Sequence, residues 1–106
     1  MTSSSPTGPA AAVTGATGQQ YPRVCMVDDL VAVAERVCGR YGAVITDHAA
    51  LAAAAAVPAA RINGVFVHRD LRTAAWALAE TIEKLAPLDR ANDVFAVIAA
   101  RVYLAR

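Results

Sequence analysis

Large rings, thiols and charge are all scarce in this sequence. Only 6% of its 106 residues are aromatic while 57% are hydrophobic, so a core has to be built mainly from Ala, Val and Leu. Alanine is the best helix former, and short side chains let helices approach closely, so closely packed helices are expected. Ten basic and nine acidic residues leave a net charge of +1. That balance carries no electrostatic footprint for nucleic acid or an anionic membrane surface. The two cysteines, Cys25 and Cys38, lie too far apart for a CxxC redox or zinc pair, and no His/Cys cluster surrounds them. They are expected as buried, reduced thiols. No basic start followed by an apolar run marks a signal peptide, and the apolar stretch Ala49–Val57 falls far short of the roughly 20 residues a membrane span needs. A soluble cytoplasmic protein is the expectation.

Catalytic groups are equally thin. His48 and His68 have no partner at metal-ligand or catalytic spacing and are expected as exposed side chains. An Asp47/His48 dyad lacks a nucleophile, because every serine lies within the first five residues and the two cysteines sit in apolar surroundings. Gly15-Ala16-Thr17-Gly18 lacks the Gly-Lys-Ser/Thr ending of a phosphate loop.

What is present is a succession of helix signals. Residues 1–20 mix Ser, Thr, Gly, Pro and Ala without hydrophobic period and are expected to form a disordered tail before a domain over 21–106. Asp28 or Asp29 is a natural N-cap, and Leu30, Val31, Ala34, Val37 and Cys38 fill one face of a helix ending by Gly42. Ala43–Ile45 reads as an extended link. Asp47 caps a second helix that Pro58 ends. Asn63-Gly64 is a turn signal before Val65-Phe66-Val67, giving a small hairpin or an ordered loop. Asp70 caps a third helix whose face is Leu71, Ala74, Ala75, Leu78, Ile82 and Leu85. Pro87 breaks the chain, and Asn92 or Asp93 caps a last helix with Phe95, Ile98, Val102 and Ala105 on one face. The fold class is therefore all-α, with four to five helices and at most a vestigial strand pair. Trp76 falls off the apolar stripe and marks a partner surface if exposed, Tyr103 reads as a packing residue, and Glu80 with Lys84 forms a weak i,i+4 pair.

The segment Ala86-Pro87-Leu88-Asp89-Arg90-Ala91-Asn92-Asp93-Val94 puts a short polar loop before a helix N-terminus, a geometry that suits anions. Read in order, the chain resembles the Doc (death-on-curing) branch of the Fic family over roughly Met26 to Leu104. The helix from Asp29 through Glu35-Arg36 to Arg40-Tyr41-Gly42 is similar to the family's opening helix, with its acidic start, His-Glu-Arg and closing Arg-Tyr-Gly. Asp47, Leu51, Pro58, Gly64 and the start of the helix at Leu71 follow in the family's order. The central segment falls where the family carries His-Pro-Phe-x-Asp/Glu-Gly-Asn-Gly/Lys-Arg. Pro87 and Asn92 match it and Ala91 is a small residue in the Gly position. Ala86 replaces the catalytic His, Leu88 the Phe, Arg90 the magnesium ligand, Asp93 the Gly or Lys and Val94 the Arg. Ala34 stands where the opening helix has His.

The resemblance implies a compact Fic/Doc-like helical domain and a toxin-like role in toxin–antitoxin or prophage biology. In the family the loop cradles nucleotide phosphates, an acid holds magnesium and His deprotonates the target hydroxyl. Alanine cannot act as a base, which removes about 10²–10⁴-fold in rate. Arg90 repels Mg²⁺, and Asp93 sets negative charge beside incoming phosphates. Asp89, Arg90 and Asn92 are left as the degenerate anion-loop candidates, with Asp89 one position early for a metal ligand. The expected function is binding, with an antitoxin-like helix or other protein as partner. The chain is also a possible oligomer, with neither nucleic acid nor membrane engaged. No cofactor is expected, ATP and Mg²⁺ entering only if the family site survives. The alternatives are a working nucleotidyl- or phosphotransferase with altered chemistry, and a helical interaction module.

Overall fold

Local capping chemistry sets most of the element boundaries. The computed structural model describes residues 21–105, so the expected tail over residues 1–20 lies outside the described residues. Four helices and one hairpin occupy this span: α1 (Val27–Tyr41), α2 (His48–Ala56), β1 (Arg61–Ile62), β2 (Val65–Phe66), α3 (Leu71–Leu85) and α4 (Asn92–Ala105). The all-α expectation with a vestigial strand pair holds at this level.

Asp47 caps α2 by accepting from the Ala50 N–H at 2.9 Å, and Asp70 caps α3 by accepting from the Thr73 N–H at 2.8 Å. Gly42 closes α1 in the left-handed conformation, with φ of 68°. Pro58 follows one residue after the C-cap of α2. Asn63 and Gly64 both have positive φ, as a two-residue hairpin turn of the primed type requires, and pair Ile62 with Val65 in antiparallel register.

Three sequence expectations need correction. Neither Asp28 nor Asp29 caps α1. The helix already starts at Val27, Met26 precedes it without a side-chain cap, and both carboxylates lie in the first turn, where they complement the helix dipole. Leu85, assigned to the buried face of α3, is exposed at its C-terminal end. The buried face of α4 is Phe95, Ala96, Ala99 and Tyr103, so Ile98 and Val102 are only half-buried and Ala105 is exposed. The cause is packing: α3 and α4 make the most extensive helix pair, and Ala74, Ala75, Ala96 and Ala99 are all buried. Small side chains at such positions let two helix backbones approach closely, which turns the larger Ile98 and Val102 away from α3.

The core runs from Leu30, Val33 and Val37 through Leu51 to Leu78, Ile82 and Phe95. Tyr103 is buried, as expected of a packing residue, and its hydroxyl both donates to Arg23 O and accepts from Arg23 N, each at 2.8 Å. That pair of bonds ties the chain before α1 to the end of α4. Cys25 and Cys38 are unbridged and half-buried rather than buried. Burial pushes the Cys38 thiol above its ordinary value, with the Asp89 and Glu35 carboxylates adding to the shift. Glu80 and Lys84 form no ion pair; among the described residues the two pairs are Arg69–Asp70 and Arg90–Asp89. No helix of the described residues is long and apolar enough to cross a membrane.

Candidate functional site

The loop between α3 and α4 is held by a long-range partner that its own sequence does not reveal. α3 ends at Ala86 in the left-handed conformation, φ 48°, and Ala91, immediately before α4, is left-handed as well, at 61°. Between them Leu88 forms an isolated antiparallel bridge with Ile45 in the link after α1, and the chain then bends at residues 89–90. Pro87 is fully buried, and its carbonyl accepts from the Thr46 N–H at 2.8 Å, the Asp47 N–H at 3.2 Å and the Thr46 hydroxyl at 3.2 Å.

Asp89 and Asn92 serve this pairing directly. The Asp89 N–H donates to Val44 O at 3.0 Å, and the Val44 N–H donates back to Asp89 Oδ1 at 2.8 Å. Asn92, the first residue of α4, turns backward: its Oδ1 accepts from the Leu88 N–H at 3.0 Å and its Nδ2 donates to Leu88 O at 2.9 Å. The expectation that Asn92 caps α4 is therefore corrected, since its amide closes the preceding loop instead of meeting the amides of the next turn. Leu88 is 2% exposed, so without Asn92 its peptide groups would be desolvated and unpaired.

Arg90 has a different environment. Its side chain is 66% exposed, and its Nε lies 3.8 Å from Asp89 Oδ2 in a surface pair between sequence neighbours. Such a pair contributes little to stability, about 0–1 kcal/mol. Asp93 is exposed in the first turn of α4, where its charge already complements the helix dipole. His48 is exposed, whereas His68 is half-buried, a correction to its expected exposure. Among the described residues no group of three His, Cys, Asp or Glu is gathered to hold a metal.

Asp89, Arg90 and Asn92 thus share one loop but direct their polar atoms to different partners, Asp89 to Val44, Arg90 to Asp89 and Asn92 to Leu88. The fit to a magnesium nucleotide is poor, because the Asp89 carboxylate is engaged by Val44 and Arg90 and the Asn92 amide is spent on Leu88. Val44, Thr46 and Leu88, which build the loop's scaffold, carry no sequence signal of their own; only their pairing across more than forty residues reveals them.

No family model, curated protein or solved structure matches this chain.

Proposed function

We propose that this chain is a toxin-like protein of the Doc/Fic type that has lost nucleotidyl or phosphoryl transfer and acts by binding a protein partner. The observation that carries this reading is the use made of the 86–93 loop. Where transfer chemistry needs a base, a metal-binding acid and free phosphate donors, this chain has Ala86, the exposed Arg90, and an Asp89–Asn92 pair whose polar atoms are spent on Val44 and Leu88. A loop built this way supports a retained scaffold better than a reaction centre. Trp76, 68% exposed on α3, supports partner binding, because a large ring in water contributes no burial until something covers it.

Expression in a bacterial host tests the reading. Binding without transfer predicts no growth arrest from the wild type, and no difference on Asp89→Ala or Arg90→Ala. Arrest that either substitution relieves would instead establish the transferase alternative, with Arg90 acting on phosphate.

A further inference from the structure

A second feature lies away from the loop, between α1 and α4. Val33, Val37, Ile98 and Val102 floor a depression of about 510 Å³, and Val33 and Val102 continue into a smaller one of about 40 Å³ toward the start of α1. The larger depression forms a furrow between the two helices. Ile98 and Val102 are the large aliphatic side chains that the close alanine packing of α3 on α4 turns outward, and the described chain covers them only halfway.

Asp29 lines the smaller depression, whereas the charged residues of the larger one are both basic. Arg36 and Arg40 stand one helical turn apart on α1, both exposed, and no carboxylate lines the larger depression. Among the described residues neither guanidinium has an ion pair or hydrogen bond. Glu35, the acid nearest in sequence, does not line the depression. Two unpaired guanidinium groups at i,i+4 beside an aliphatic floor match an amphipathic helix carrying carboxylates at the same spacing next to its apolar stripe.

We infer that the α1–α4 furrow is the docking site for an acidic amphipathic helix of a partner protein, anchored by Arg36 and Arg40 over the Val33–Val37–Ile98–Val102 floor. This rests on the binding reading above and places a surface for it between α1 and α4, distinct from the 86–93 loop and from Trp76 on α3. The partner's carboxylates engage the two guanidinium groups while its apolar stripe covers Ile98 and Val102.

A display library of amphipathic helical peptides, with positions flanking the apolar stripe varied among acidic, basic and neutral residues, tests the inference against the full chain. Enriched peptides are expected to carry acidic pairs at i,i+4. In anisotropy titrations they should bind the wild type at least about ten-fold more tightly than the Arg36→Glu/Arg40→Glu variant. Lysine-bearing counterparts should show the reverse preference. Both arginines are exposed, so the variant should keep its fold, which a thermal melt checks. Enrichment without charge preference, or affinity unmoved by the charge reversal, overturns the furrow assignment while leaving a binding role elsewhere on the surface. No enrichment on the folded chain also overturns it, as does light scattering that shows the furrow closed by a second copy.

Discussion

Asn92 holds both backbone polar groups of Leu88, accepting from its N–H at 3.0 Å and donating to its carbonyl at 2.9 Å. This amide-to-peptide clamp fixes the turn between α3 and α4 while Asp89 and Pro87 tie the same turn to the link after α1. Asn92→Ala should cost about 1–3 kcal/mol, since it leaves two buried peptide groups unpaired. Asn92→Asp keeps the acceptor toward the Leu88 N–H but sets a carboxylate oxygen against the Leu88 carbonyl. It should therefore destabilise as well, despite its identical shape. Chemical denaturation of the three proteins checks both expectations.

Ala86 and Ala91 occupy left-handed conformations that glycine adopts without a Cβ penalty. Ala86→Gly and Ala91→Gly should each raise stability by about 0.5–1 kcal/mol, the relief of strain exceeding the added entropy of the unfolded chain. Denaturation midpoints measure this. A loss of stability at Ala91 would mean that its half-buried methyl outweighs the strain.

Asp70 bears on stability at low pH. The Thr73 N–H and hydroxyl hold its carboxyl below the ordinary carboxylate range, helped by Arg69 and Arg72. With the folded value depressed, its contribution is present above the unfolded pKa of about 3.9 and is lost as pH falls through the folded value. Asp70→Asn retains a capping side chain but does not titrate, so the wild type should lose more of its melting temperature than the variant on going from about pH 5 to about pH 2.

Cys38 provides a spectator of the loop's electrostatics. Desolvation raises its pKa first, and the Asp89 and Glu35 charges raise it further. Asp89→Asn keeps an oxygen for the Val44 N–H and removes the charge, so the pH profile of Cys38 alkylation should move to lower pH. Peptide mapping after iodoacetamide treatment across pH 7–10, a range spanning the ordinary thiol value of about 8.5, follows Cys38 separately from Cys25.

Much of the fold was legible because its signals are local. Asp47, Asp70, Gly42, Pro58 and Asn63-Gly64 each dictate a cap, a stop or a turn within a few residues, and each acts in the structure as the sequence implies. The face of α4 was not legible, because its orientation depends on which of its small residues α3 accepts, and the period alone favoured the larger Ile98 and Val102. The role of Asn92 was not legible for the same physical reason. Asn before a helix reads as a cap in sequence, whereas here the backbone of Leu88, held between the Pro87–Thr46 and Asp89–Val44 bonds from far upstream, is the better partner. The Arg36–Arg40 rim carries no docking signal in the sequence, because a pair of helical arginines is ordinary until the lining of the depression beside it is seen to hold no carboxylate.

Calorimetric titration of the full chain with ATP and with CTP, with and without Mg²⁺ and alongside Asn92→Ala, tests the central claim most directly. A loop whose polar groups are committed to its own backbone predicts no binding heat at millimolar nucleotide under any of these conditions. Magnesium-dependent binding by the wild type that Asn92→Ala abolishes would contradict the account and restore the loop as a nucleotide site.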